Sequence, residues 1–128
     1  MQQSNTKEKN TLILIPKAER YIQYIIELIV KIPRVEKFSI GTEYKQSMYR
    51  MLEMILYVDK ISDTEKLKYI NRIDSELNVQ RIFLRIMCKN MWIDKRKFDV
   101  AMEQIYEIGK IVGGLIKFYA KNNKKSIW

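Results

Sequence analysis

The chain has 128 residues, a mass of 15.5 kDa and 47% hydrophobic content, which suits one domain with its own core. It holds 24 Lys and Arg against 15 Asp and Glu and no histidine, so Ser-His-Asp and Cys-His nucleophile systems and His-containing zinc sites are excluded. Cys88 is the only cysteine; it forms no intramolecular disulfide, builds no thiolate metal site, and reads as a packed thiol on an apolar helix.

The net charge of +9 is unevenly spread. Residues 1–80 carry 13 basic and 11 acidic side chains, whereas residues 81–128 carry 11 and 4, and no acid follows Glu107. Clustered cations gain by displacing counterions from phosphates, so this asymmetry points to a polyanionic partner; a solvated face with a basic tail fits equally well. The opening Met1–Asn10 is polar, unlike a secretory leader, and the longest apolar run, Met54 to Val58, falls far below the roughly 18 residues of a membrane span. A cytoplasmic protein with no membrane contact is expected.

With two prolines, four glycines and apolar residues at three- and four-residue spacing, the fold class is all-α. Residues 1–11 are expected to be a disordered polar tail, 12–120 the folded unit and 121–128 a basic tail. The first helix is predicted from Pro16 to Lys31, with Ala18, Ile22, Ile25, Ile29 and Ile32 on its core stripe. Tyr21, Tyr24, Ile26, Leu28 and Val30 widen that stripe, which calls for a second contact surface, within the bundle or in another subunit.

Pro33 ends that helix, and Arg34–Phe38 reads as a charged loop. Ser39 is the expected N-cap of a second helix over about Ile40–Lys60, with Tyr44, Met48, Met51, Ile55 and Val58 inward. Ser62 and Glu65 have capping-box spacing and open a third helix that runs to about Asn90. Its stripe is Ile70, Ile73, Leu77, Leu84, Met87 and Met91, interrupted by Gln80. Asp94 caps a fourth helix bearing Phe98, Ala101, Ile105, Ile108, Val112, Leu115 and Tyr119. Four such helices with short connections predict an antiparallel up-down four-helix bundle.

The glycines fit neither a P-loop nor a dinucleotide-binding spacing, and Glu103 with Glu107 reads as a solvated acidic face rather than a metal pair. No enzyme, metal or cofactor is expected. Arg81, Arg85 and Lys89 recur at i, i+4 and i+8 on the third helix, Lys110, Lys117 and Lys121 form a row on the fourth, and Lys95, Arg96 and Lys97 lie between. One continuous patch is expected, of the kind that follows a phosphate backbone without reading bases. Gly109, Gly113 and Gly114 sit inside a helix, where each costs about 1 kcal/mol relative to alanine, so close packing against another helix or subunit is expected there.

Three segments carry a family resemblance: Glu19-Arg20-Tyr21 through Lys31-Ile32-Pro33-Arg34, Arg81-Ile82-Phe83-Leu84-Arg85, and Glu107 through Gly114. In order and spacing they resemble the accessory variability (Avd) proteins of diversity-generating retroelements, over about Leu12 to Tyr119. Where that family often has a tryptophan after the paired small residues, this chain has Leu115. The resemblance implies a homopentameric barrel of four-helix bundles that associates with a reverse transcriptase, binds DNA and RNA and supports mutagenic cDNA synthesis. It implies nucleic-acid contact for Arg81 and Arg85; electrostatics adds Lys89, Lys95, Arg96, Lys97, Lys110, Lys117 and Lys121. Tyr21, Tyr24, Leu28, Gly109, Gly113 and Gly114 are the expected packing and oligomer residues. Two alternatives stand beside this reading: the similar rRNA intervening-sequence proteins, and a structural oligomer whose charge only keeps it soluble.

Overall fold

The structure, a computed structural model, describes residues 2–127, with side chains described for 12–123. The tail expected at 1–11 and the end of the one expected at 121–128 lie outside the fully described residues. Five helices follow one another: α1 (Gln2–Val30), the single turn α2 (Arg34–Lys37), α3 (Ile40–Val58), α4 (Asp63–Lys89) and α5 (Lys95–Ile127). The four long ones form the all-α bundle, with no strand among the described residues.

Cross-helix contacts fix the directions. Lys17 of α1 meets Glu107 of α5, while Tyr24, further along α1, lies in the field of Asp94 and Arg96 at the start of α5. Tyr44 stacks near Phe83 and Tyr57 near Tyr69, so α3 and α4 also run oppositely. Arg81 lies against Gly109 and Lys66 over the Tyr119 ring, which makes α4 and α5 antiparallel. Each long helix therefore packs on two neighbours, α4 most extensively on α5 and α3. Among the described residues no helix is long and apolar enough to cross a membrane.

The predicted stripes supply the core. Tyr44, Met48, Met51, Ile55 and Val58 of α3, Ile70, Ile73, Leu77, Leu84 and Met87 of α4, and Ala101, Ile105, Ile108, Val112, Leu115 and Tyr119 of α5 are all buried. Gln80, the polar interruption, is also buried, and it is satisfied from both neighbours. Its Oε1 accepts from the Tyr21 hydroxyl at 2.9 Å, and its Nε2 donates to Ser47 Oγ at 3.0 Å. Tyr21 and Tyr44 share a hydrogen bond of 2.7 Å, Ser47 donates to Glu76 at 2.7 Å, and Arg50 closes the chain on Glu76 at 2.9 Å. Burial pushes both tyrosine hydroxyls well above their ordinary pKa, so they stay neutral donors. This line of polar groups ties α1, α3 and α4 into one register, because a shift of any helix would orphan a buried group.

Several local expectations are corrected. Helix α1 passes through Pro16 instead of starting there. Proline removes the bond to the Leu12 carbonyl and costs about 3 kcal/mol in a helix interior, but continuing the helix buries Leu14, and a buried leucine returns about 2–3 kcal/mol. Arg34–Lys37 is a helical turn rather than a loop, started by Pro33. Neither Ser39 nor Ser62 caps with its side chain. The Ser39 hydroxyl bonds Glu36 Oε2 at 3.0 Å and that of Ser62 bonds Thr64 at 3.1 Å, so the capping box does not form. Asp94 does cap, accepting from Lys97 N at 2.8 Å.

Met91 does not extend the α4 stripe. It is 87% exposed and has φ of 61°, because α4 ends in a Schellman turn: the Trp92 amide reaches back to the Met87 carbonyl at 2.9 Å. Glycine usually holds that left-handed position.

Candidate nucleic-acid interface

Arg81 of α4 lies against Gly109 of α5. A Cβ on Gly109 would stand 2.6 Å from Arg81 Nη2, so the bare backbone there makes room for the guanidinium. Arg81 is half-buried and donates to Asn78 Oδ1. One and two turns on, Arg85 and Lys89 are exposed on the same row of α4. Across the seam, Lys110, Lys117 and Lys121 are exposed along the outer face of α5, with Lys110 Nζ 5.5 Å from the centre of the exposed Tyr106 ring.

By the antiparallel register the α4 row and the α5 row together span the bundle axis from the level of Lys89 to that of Lys121, with the exposed Glu107 and Glu103 one and two turns before Lys110 on the outer face of α5. That span is about 20 residues of α5, or roughly 30 Å at 1.5 Å per residue. None of the six belongs to an ion pair among the described residues; the pairs are Lys17–Glu107, Arg50–Glu76, Lys66–Asp63 and Lys95–Asp99. Their charges are therefore available to an outside anion, and the 30 Å track approaches one turn of a duplex, whose two strands place a phosphate charge about every 1.7 Å.

The turn cluster Lys95, Arg96 and Lys97 stands at the start of α5, the end of the bundle at which α4 finishes with Lys89. Lys95 binds Asp99 Oδ1 at 2.7 Å and lies near the Phe98 ring. Arg96 is exposed and Lys97 is half-buried.

The packing residues also divide. Tyr21 and Leu28 lie inside the bundle, with 0% and 5% exposure, so the extra apolar width of the first helix is absorbed by its own neighbours. Tyr24 is half-buried, and Val30 remains 59% exposed. Gly109 accommodates Arg81, but nothing of the chain lies within 4 Å of a Cβ built on Gly113 or Gly114. Of the acidic pair, Glu107 is engaged by Lys17 at 3.0 Å, and Glu103 is exposed. Sequence reasoning missed the exposed α4 stripe of Val79, Ile82 and Ile86, which are 40%, 47% and 38% exposed. Their i, i+3, i+7 spacing was the available signal.

Comparison with known proteins agrees with this architecture. No curated protein matches the chain. A crystal structure from Bacteroides thetaiotaomicron VPI-5482, of a protein of unknown function in the S23 ribosomal protein family, superposes with a TM-score of 0.76 at 16% identity. It covers 84% of this chain and 98% of its own, a likeness of fold. The bAvd-like family profile matches residues 12–119, the span on which the segment resemblance rests and which contains the whole cationic seam apart from Lys121. Because that match spans most of the chain, the chain belongs to the bAvd-like family.

Proposed function

We propose that this protein is a non-catalytic accessory subunit of a diversity-generating retroelement. It binds DNA and RNA along the α4/α5 seam and works beside a reverse transcriptase during mutagenic cDNA synthesis in the cytoplasm. The observation that carries the reading is the pair of cation rows on a bAvd-like bundle, Arg81, Arg85 and Lys89 on α4 and Lys110, Lys117 and Lys121 on α5, none in an ion pair among the described residues. Lysine and arginine rows of this kind hold phosphates in place and leave base edges unread, so binding is independent of sequence. Catalysis belongs to the polymerase.

The protein assembles as a homopentamer. Supporting this, Val79, Ile82 and Ile86 form an exposed apolar stripe on α4, and Gly113 and Gly114 leave open space on α5 for a neighbouring subunit. Light scattering at micromolar concentration is expected to report five chains; a monomer contradicts the assembly.

The binding test is fluorescence anisotropy with two unrelated duplexes and one single-stranded RNA. All three are expected to bind, with affinities within a few-fold of one another, and replacing Arg81, Arg85 and Lys89 by alanine is expected to weaken all of them alike. Absence of binding would leave a structural oligomer.

A further inference from the structure

Four aromatic rings are exposed among the described residues: Phe38, Tyr49, Tyr57 and Tyr106. Of these only Tyr106, 62% exposed, has a cation over it, the Lys110 ammonium one turn further along α5 and 5.5 Å from the ring centre. Tyr57, by contrast, packs edge-on against Tyr69 at 5.2 Å.

The position of Tyr106 follows from the contact of Arg81 with Gly109. Because α4 and α5 run oppositely, the three residues from Gly109 back to Tyr106 match the three from Arg81 on to Leu84, so the ring stands at a height between Arg81 and Arg85. Around α5, at 3.6 residues per turn, Tyr106 falls between Gly109, which meets α4, and Lys110 on the outer face. The exposed ring thus lies among the two cation rows.

The acids near it are largely engaged. Glu107 is held by Lys17 at 3.0 Å, and Asp99, two turns before the ring, by Lys95 at 2.7 Å. Glu103, exposed and in no ion pair among the described residues, stands one turn before Tyr106, against the three cations Arg81, Arg85 and Lys110.

Cations alone favour a duplex over a single strand, because a single strand has the lower charge density and each of its phosphates contributes about 0.7 to the salt slope against about 0.9 for a duplex. What a single strand adds is bases with free faces, which stack on aromatic side chains; in a duplex those faces are taken up by neighbouring bases. We infer that Tyr106 is a stacking platform for an unpaired base of single-stranded RNA or DNA, whose phosphates are held by Arg81, Arg85 and Lys110. Stacking offsets the weaker pull of the cations on a single strand, so that single strands bind with affinities close to those of duplexes. A neighbouring subunit is the poorer occupant of the ring: the exposed apolar stripe Val79, Ile82 and Ile86 is turned at least about 100° away from Arg81 around α4.

The inference rests on the reading that the cations of α4 and α5 bind nucleic acid. Its test measures binding of the full chain, by fluorescence anisotropy, to a single-stranded DNA, to an abasic strand of the same length and to the duplex form of that DNA. Tyr106→Ala removes an exposed side chain and is expected to weaken the single strand at least about fivefold, the loss of one stacked base, while duplex affinity stays within about twofold. Tyr106→Phe keeps a ring and is expected to keep single-strand affinity within about twofold. The abasic strand, which has the phosphates without the bases, is expected to bind wild type and Tyr106→Ala alike. Equal losses for single strand and duplex, an alanine effect that persists on the abasic strand, or no effect at all overturns the inference and leaves the cation reading in place. A lower oligomer mass for Tyr106→Ala in light scattering also overturns it, because Tyr106 would then be a subunit contact. Failure of the unaltered chain to bind any of the three probes overturns the cation reading and the inference together.

Discussion

Replacing Tyr21 by phenylalanine should damage the fold more than removing three polar side chains together. The Tyr21 hydroxyl donates to Gln80 Oε1 at 2.9 Å and pairs with the Tyr44 hydroxyl at 2.7 Å, and all three residues are 0% exposed. Tyr21→Phe leaves the Gln80 carbonyl without a donor and the Tyr44 hydroxyl without a partner. Each orphaned buried group costs about 1–3 kcal/mol, so the single substitution is expected to cost about 3 kcal/mol. The triple variant Tyr21→Phe, Tyr44→Phe, Gln80→Leu keeps nearly the same volume and removes the polar groups of Tyr21, Tyr44 and Gln80 together, leaving Ser47 of the buried cluster. Ser47 keeps Glu76 as its acceptor at 2.7 Å, so no donor is stranded. Its stability is therefore expected within about 1 kcal/mol of wild type, since fully apolar replacements of buried polar groups are often neutral. Against a total of about 5–15 kcal/mol the difference is large, roughly 8–10 °C in melting temperature. Urea and thermal unfolding of wild type, each single variant and the triple variant measure it. A triple variant as unstable as the sum of its singles would refute the reasoning, because it would mean the three groups act independently.

Three further outcomes follow from local geometry. Met91→Gly relieves a left-handed residue at the end of α4 and is expected to stabilise the fold by about 1 kcal/mol in urea unfolding; an unchanged midpoint would mean that the turn is not strained. Gly114→Ala meets nothing within 4 Å and should gain about 1 kcal/mol of helix propensity, whereas Gly114→Leu should leave the isolated bundle folded but lower the oligomer mass in light scattering if a neighbouring subunit packs there. Burial raises the Glu76 carboxyl, but hydrogen bonds from Arg50 and Ser47 outweigh it and hold the pKa below 4.5. A lowered folded-state pKa adds stability above the unfolded value that is lost as pH falls through the folded one, so wild type should lose stability as pH drops below about 4.5. Glu76→Gln should flatten that part of the stability–pH curve, and an unaltered acid slope would show the pairing to be ineffective.

Much of the fold was legible because the core stripes keep a three-four rhythm with few interruptions, and burial enforces that rhythm. Local chemistry was read less well. Serine at positions 39 and 62 signals a side-chain cap, yet the hydroxyls found Glu36 and Thr64 first. Pro16 signals a helix start, yet the stripe continues through Leu14 and the helix passes it. Met91 keeps the spacing of α4 but falls after the Schellman turn, which periodicity alone does not reveal. The role of Gln80 was invisible because its partners, Tyr21 and Ser47, come from helices 59 and 33 residues away.

At the candidate site, sequence spacing located the cationic rows but not their relation. Positions four apart share a helix face, so Arg81, Arg85 and Lys89 fall together. Whether the Lys95–Lys97 cluster joins them depends on how α5 is rotated against α4, which spacing within one helix does not reveal. The three glycines of α5 were read as one packing feature; among them a Cβ would meet a described neighbour only at Gly109, and that neighbour is the Arg81 guanidinium.

The salt dependence of duplex binding tests the central claim most directly. Each phosphate contact contributes about −0.9 to the slope of log K against log salt, so a seam engaging five or six phosphates gives a slope near −5 per chain. Replacing Arg85, Lys110 and Lys117 by alanine is predicted to make the slope shallower by about 2.7, as three lost contacts require. A slope unchanged by these substitutions would contradict the account, because the phosphates would then be held somewhere other than the α4/α5 seam.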